Sequence, residues 1–367
     1  MSAFNYQLEA KMNYNFAINK TDKPKAKPDQ DNLGFGKFFT DHMFVMDYTK
    51  EKGWHDGKIV PYGLIALDPA SAVLHYAIEM FEGMKAYTTE DGKILLFRPE
   101  MNARRANITC DRMCIPPIDE ELFLAAIKAL VGFEKDWIPQ GGGKSLYIRP
   151  FIIANEVFVG LRPAYQYLFI VFLSPVGSYY AGGLSPTKLL VEDEYIRAAP
   201  GGTGYAKVGG NYAGTLKAQE KAMDMGCDQV LWLDGVEKKY VEEIGASNAF
   251  FVIGGEVITP PADGTILEGI TRDSAIQLLK KWGYKVSERK ISIEEVFNEC
   301  ESGKLSEAFA TGTAAVVSPV GELTWKGKKV IINGGKIGEV SQRLYDGLYN
   351  IQTGAAEDIM GWTVEVK

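Results

Sequence analysis

Lys207 lies in the run Ala199-Pro200-Gly201-Gly202-Thr203-Gly204-Tyr205-Ala206-Lys207-Val208-Gly209-Gly210-Asn211-Tyr212, framed by five glycines and a proline. Glycines let a backbone take up positive φ and approach a ligand closely, at an entropic cost that an ordinary surface lysine does not call for. A lysine held against a planar ligand and partly desolvated is a nucleophile, because burial favours its neutral amine. The plainer reading, a glycine-rich loop with an incidental lysine, stays open on this stretch alone. A phosphate-binding P-loop does not fit. That motif places Gly before the lysine and Ser or Thr after it, whereas Ala206 and Val208 stand there.

Other segments could handle charge. Glu268-Gly269-Ile270-Thr271-Arg272-Asp273 leads into a helical pattern with Thr271 as its expected N-cap. Free backbone N–H groups and the positive end of the helix dipole would make that terminus a seat for an anion. Thr311-Gly312-Thr313-Ala314 is a second loop of small residues, and Glu242-Glu243 is a carboxylate pair. Taken alone, either glutamate reads as a solvated surface charge. Gly141-Gly142-Gly143-Lys144-Ser145 ends like a nucleotide loop. However, Ile138 occupies the place of the first required glycine, and the element order is reversed, so a flexible turn is the better reading.

The elements that must position these groups can be read from periodicity. Residues 1–32 are polar and aperiodic, a loosely held arm. Phe35 to Tyr48 is aromatic and β-prone, and Trp54 to Leu67 is a second strand region. Leu74, Ala77, Ile78 and Phe81 follow helical spacing with Gly83 as the stop. A hairpin turns at Asp91-Gly92, Arg98-Pro99 opens a helix, and another helix runs from about Asp119 to Lys135. Leu168 to Leu173 reads as a strand buried on both faces. Gly177 to Gly183 is the best linker. Its Tyr179 and Tyr180 would line a cleft or simply pack. A helix is expected from about Tyr212 to Met225, others over 272–282 and 293–300, and a last one over 339–350. Strands and helices mix without regular alternation, which argues against a doubly wound sheet.

The whole chain has 367 residues, which suggests two domains. Its 40 basic and 47 acidic residues leave a net charge of −7, against nucleic acid or anionic membrane as a partner. Four cysteines without a Cys-x-x-Cys pair and three histidines do not suggest zinc. No apolar run is long enough to span a bilayer, so a cytoplasmic location is expected.

Gly201 to Tyr212 resembles the cofactor-lysine segment of branched-chain amino-acid aminotransferases, the pyridoxal-phosphate enzymes of fold type IV. The resemblance runs from about Phe35 onward, with its motifs in order. It implies an α+β, fold type IV aminotransferase-like architecture of two α/β domains with the cofactor in the cleft between them. The small N-terminal domain would span 1–177, the interdomain linker 178–186 and the large cofactor-binding domain 187–367. Such an enzyme needs a Schiff-base lysine, an anion at the pyridine nitrogen, a phosphate cradle and substrate binders. Lys207 would be the lysine and Tyr212 the partner of the phenolate oxygen. Glu243-Ile244-Gly245-Ala246-Ser247-Asn248 is similar to the family's Glu-x-Gly-x-x-Asn motif, which selects Glu243. Gly269, Ile270, Thr271, Gly312 and Thr313 match the phosphate loops, and Arg105 the accompanying arginine.

For substrate, Phe81-Glu82-Gly83-Met84-Lys85-Ala86-Tyr87 and Tyr147-Ile148-Arg149-Pro150 are similar to family segments. Phe35, Tyr76, Phe81, Tyr147, Tyr179, Ala246 and Ala314 would wall the pocket, and Arg149 would bind a distal carboxylate. Tyr76 and Tyr147 would come from the partner of a homodimer. The implied reaction is transamination of L-leucine, L-isoleucine and L-valine with 2-oxoglutarate, giving 2-oxo acids and L-glutamate. The redox Cys-x-x-Cys of animal members is absent, since Ala315 and Ser318 occupy its places. A D-amino-acid aminotransferase or aminodeoxychorismate lyase would share the lysine and loops. A non-catalytic pyridoxal-phosphate-binding protein is the alternative from another class. The segments around Tyr76, Phe81, Tyr147 and Arg149 favour the branched-chain enzymes.

Overall fold

The computed structural model describes residues 14–178 and 184–367. Two nine-stranded sheets organise these residues. The first runs in the order Ala17–Ile18, Gly53–Pro61, His42–Thr49, Gln166–Val176, Ser145–Ala154, Met84–Thr88, Ile94–Phe97 and Thr363–Val366, with Glu79–Phe81 also paired to Ser145–Ala154. All its pairings are antiparallel except that of Ala17–Ile18. Two helices, Pro99–Arg112 and Glu120–Phe133, pack against it. In the second helix Phe123, Ala126, Ile127, Leu130 and Val131 recur at helical spacing and are fully buried. Asp119 caps it by accepting from Leu122 N at 2.9 Å. That helix and the sheet close on a core containing Phe44, Phe123 and Phe169.

The second sheet runs Val241–Ile244, Gln229–Leu233, Thr187–Glu192, Val316–Trp325, Leu305–Gly312, Ser247–Ile253, Glu256–Thr259 and Lys285–Glu288, with Lys328–Ile331 added on Val316–Trp325. A further pairing of Val241–Ile244 with Ser247–Ile253 closes six strands into a ring. Helices Ile270–Lys281 and Glu339–Thr353 cover one core, around Phe250 and Phe309, and Ile293–Glu301 covers another. Parallel and antiparallel pairs mix, as expected for an α+β chain rather than a doubly wound sheet. The sheets do not divide at the linker alone, because the last strand, Thr363–Val366, returns to the first sheet beside Ile94–Phe97.

Several local expectations change. The helix expected through Phe81 stops after Ala72–Tyr76, where Ala77 takes a left-handed conformation, φ +48°. Glu79–Phe81 then pairs with Phe151 to Ile153, so sheet pairing overrides a weak helical pattern. The helix expected from Tyr212 to Met225 is two pieces, Gly210–Ala213 and Leu216–Asp224. Thr271 is not the N-cap. Gly269 is, and the helix begins at Ile270. The described part of the arm is tied down: Ala17–Ile18 pairs with Lys58 and Ile59, and Thr21 N donates to His42 Nε2 at 2.9 Å. Cys110 is buried, and burial pushes its thiol up to about 12, whereas Cys114 is exposed.

Candidate active site

The glycine frame of Lys207 is used for closeness more than for flexibility. A Cβ on Gly204 would lie 2.3 Å from Thr265 O, so only glycine lets these two loops meet. The first-sheet half of the molecule fixes the lysine's backbone. Lys207 N donates to Thr109 Oγ1 at 2.9 Å, Phe81 N donates to Lys207 O at 3.1 Å, and Gly209 N donates to Glu79 Oε1. The amine then faces a cavity of about 350 Å³ and donates to Tyr212 Oη at 2.8 Å. Phe81 packs edge-on against Tyr212, with Lys207 Nζ 4.8 Å from the Phe81 ring centre.

Glu243 lies on the strand that closes the ring and lines this cavity. Its Oε2 pairs with Arg197 Nε at 2.8 Å, while Oε1 accepts from Leu267 N at 2.9 Å and Asn248 Nδ2 at 3.3 Å. Burial raises its carboxyl above the usual range, only partly offset by Arg197, the Leu267 amide, Lys207 and Arg272. Glu242, its neighbour, lines a different cavity, bounded by Pro260 and Ile266, and accepts from Thr265 Oγ1. Arg197 also donates to Thr265 O at 2.8 Å and Gly204 O at 3.1 Å, linking the carboxylate to the lysine's loop.

A second buried pair lies on the first-sheet side. Arg105 Nε and Nη2 reach Glu82 Oε1 and Oε2 at 2.7 and 2.8 Å, and Nη1 donates to Glu268 O at 3.2 Å. Asn102 Nδ2 adds a bond to Glu82 Oε2 at 2.8 Å. Burial pushes the Glu82 carboxyl up, but Arg105, Lys207 and Asn102 together hold it below the usual range. Burial lowers Arg105, yet Glu82 leaves its guanidinium above the ordinary arginine value. Arg105 lines the cavity as expected, held by a carboxylate that the residue pattern did not reveal.

All the remaining expected cofactor residues border the same cavity: Gly269, Ile270, Thr271, Gly312 and Thr313. So do the expected substrate residues Phe35, Phe81, Tyr147, Arg149, Ala246 and Ala314. Phe35 packs edge-on against Tyr147 at 5.0 Å, and Arg149 Nη2 donates to Tyr147 Oη at 3.0 Å. The Arg149 guanidinium lies 4.9 Å from the Phe81 ring and makes no ion pair among the described residues. Tyr147 therefore serves its own chain's cavity, contrary to the expectation that it reaches across from a partner. Tyr76 lies outside the cavity, half-buried at the end of its short helix, and Tyr179 falls outside the described residues. Arg197, Glu82 and Lys85 were missed. Lys85 Nζ donates to Ala314 O at 2.6 Å, a bond between residues 229 apart in the chain. A general rule would have asked for two of them, since a buried carboxylate needs a counter-charge.

The cavity suits pyridoxal 5'-phosphate by its donor set. The first N–H groups of helix Ile270–Lys281 have no acceptor among the described residues, and Arg105 stands beside them. Thr311 Oγ1 is buried without a partner among the described residues. A Cβ on Gly269 would lie 2.0 Å from Asn248 Oδ1, so the backbone here is drawn close to the Glu243 network. Lys207 and Glu243 complete the amine and the anion that such a ring requires.

The family described as amino-transferase class IV matches residues 79–323. The chain belongs to the class IV aminotransferases, whose cofactor is pyridoxal 5'-phosphate. It is 56% identical over 349 residues to branched-chain-amino-acid aminotransferase 2 of Bacillus subtilis (strain 168), covering 95% of this chain and 96% of that one. Branched-chain-amino-acid transaminase 1 of the same organism is 55% identical, covering 95% and 98%. Among solved structures, Escherichia coli branched-chain amino acid aminotransferase superposes with a TM-score of 0.75 at 28% identity, covering 89% of this chain and 99% of that one. The T.th. branched-chain amino acid aminotransferase complexed with N-(5'-phosphopyridoxyl)-L-glutamate gives a TM-score of 0.73 at 28% identity, covering 88% and 98%.

Proposed function

We propose that this protein transaminates L-leucine, L-isoleucine and L-valine, with 2-oxoglutarate as amino acceptor and L-glutamate as product. The observation that carries this reading is the cavity wall. Phe35, Phe81 and Tyr147 offer an apolar face to an aliphatic side chain, while Arg149 beside them makes no ion pair among the described residues, with Glu79 the carboxylate whose charge it feels. One pocket can then accept either an aliphatic side chain or, through Arg149, a distal carboxylate. The relatives and solved neighbours named for branched-chain substrates support it.

When bound, pyridoxal 5'-phosphate supplies an electron sink for the pair left at the substrate's Cα. With the cofactor bound, Lys207 Nζ would carry the proton between the substrate's Cα and the cofactor's C4′ carbon, in one direction in each half-reaction, held in line by Tyr212 Oη. Glu243 supplies the anion at the ring nitrogen, and Arg197 keeps that carboxylate oriented. Arg105, Gly269, Ile270, Thr271, Gly312 and Thr313 seat the phosphate, while Ala246 and Ala314 border the substrate.

The two sheets are read as the small and large domains, residues 1–177 and 187–367, with the last strand crossing back. A homodimer is proposed from an exposed apolar face. Leu64, Leu74, Val157, Val159 and Leu161 are 57 to 102% exposed. The Ser71–Val157 bridge joins the two segments that carry them, beside Tyr76. No helix among the described residues is long and apolar enough to cross a membrane, and a cytoplasmic location is proposed with it.

The test is the visible absorption of purified holoenzyme. The band bleaches with L-isoleucine and returns with 2-oxoglutarate. A band that responds to D-alanine but not to L-leucine would move the assignment to another class IV activity. Lys207→Ala binds cofactor without turning over, and near-normal transamination by that variant would overturn the role given to Lys207.

A further inference from the structure

Lys85 is a half-buried lysine that bonds a backbone carbonyl rather than a carboxylate. It lies on strand Met84–Thr88 opposite Tyr147 and makes no ion pair among the described residues. Its only hydrogen bond there is the one to Ala314 O at 2.6 Å. Burial pushes its ammonium down to about 8. None of the groups that face it is a carboxylate: Tyr147 lies across the sheet, Tyr87 further along its own strand, and Thr271, Thr313 and Gln352 around a small adjoining void. The Glu82–Arg105 pair nearby is internally neutralised.

What Lys85 grips is the turn between strands Leu305–Gly312 and Val316–Trp325. Thr313, Ala314 and Ala315 border the cavity. The Ala314 carbonyl and the Ala315 N–H belong to one peptide group. A charge-assisted bond to that oxygen polarises the group and makes its N–H a stronger donor. An N–H group with a positive charge behind it forms a seat for an anion.

We propose that Lys85 is a positioning residue for carboxylate recognition, holding the turn at Ala314 and polarising the Ala315 N–H toward the carboxylate of an amino-acid or 2-oxo-acid substrate. This rests on the aminotransferase reading of the cavity. It accounts for a half-buried lysine that makes no ion pair among the described residues, since the incoming carboxylate supplies negative charge through the turn.

The test is calorimetric binding of 4-methylvaleric acid, a carboxylate with an aliphatic chain and no amine, to the holoenzyme and to Lys85→Met and Lys85→Arg. At pH 7 the Kd rises about tenfold in Lys85→Met and less than about threefold in Lys85→Arg, which keeps charge and donor. Between pH 7 and 9.5 the parent loses about tenfold more affinity than Lys85→Met, as the ammonium titrates away. Cofactor retention on dialysis, followed by absorbance, is the same in all three. Unchanged carboxylate affinity in Lys85→Met overturns the proposal. Cofactor loss with carboxylate affinity intact also overturns it, because the turn would then serve the phosphate. Parallel assays with L-leucine and 2-oxoglutarate separate the two readings. A parent that fails to turn over but binds the acid in a Lys85-dependent way sinks the substrate assignment and leaves Lys85 standing.

Discussion

Two buried arginine–carboxylate pairs flank the Lys207 amine, and they are built to opposite ends. Glu82 is gripped by both arms of Arg105 and by Asn102. Glu243 meets Arg197 through a single nitrogen, with one backbone amide and one long Asn248 contact. Both carboxylates are essentially inaccessible to solvent. Glu82 nevertheless sits below the ordinary carboxylate range and Glu243 above it. Burial alone therefore does not decide charge; the number and geometry of donors do. A fully satisfied carboxylate is a structural strut. A partly satisfied one is available to a further cation, which for Glu243 is, on the proposed function, the ring nitrogen of the cofactor.

Breaking the strut has the largest expected effect. Glu82→Ala leaves Arg105 buried and unpaired, and apoprotein stability falls by about 3–5 kcal/mol, read by urea denaturation. A loss below about 1 kcal/mol would mean that the pair is not structural. Glu243→Gln keeps most contacts and removes the charge. Turnover drops about 10²–10³-fold with a much smaller stability change, so kinetics and denaturation together separate the two roles. Asn102→Ala removes one donor from Glu82 and costs about 1–3 kcal/mol, moving it toward the condition of Glu243.

The pH dependence of the apoprotein gives the smallest effect and has opposite signs at the two sites. Glu82 has a lowered folded-state value. Its stabilisation is present above about 4.5 and is lost as pH falls through the folded value. Glu243 has a raised value, so its contribution is present below about 4.5 and fades as pH rises through the folded value. Urea midpoints across this range should show Glu82→Gln flattening the acid limb and Glu243→Gln flattening the loss above it, each on the order of 1 kcal/mol. Identical profiles for the two variants would end the comparison.

The chemistry-bearing residues were legible because their types and frames are local. Lys207 in its glycines, the Gly269 to Thr271 terminus and the Thr311 to Ala314 turn all meet at one cavity. Their partners were not legible, because Arg197, Glu82 and Lys85 act over long separations and nothing beside them marks burial. Secondary structure failed where pairing outweighed pattern. Phe81 had helical spacing, but its strand pairs with Phe151 to Ile153 and its N–H binds Lys207 O. The Thr271 cap failed for a different reason: Gly269 is drawn against Asn248 and starts the helix earlier.

The returning strand has a mechanical consequence. The chain leaves the first sheet after Val176, builds the second, and comes back through residues 354–362 to lay Thr363–Val366 beside Ile94–Phe97. Two bodies joined by one thread can swing in any direction. Joined at two points, they keep only the rotation about the line through both. Here the last strand is the second tie, and side-chain bonds such as Arg98 to Ser274 and Tyr87 to Gln352 fasten the halves as well, so the walls of the cavity are held in register by more than the linker.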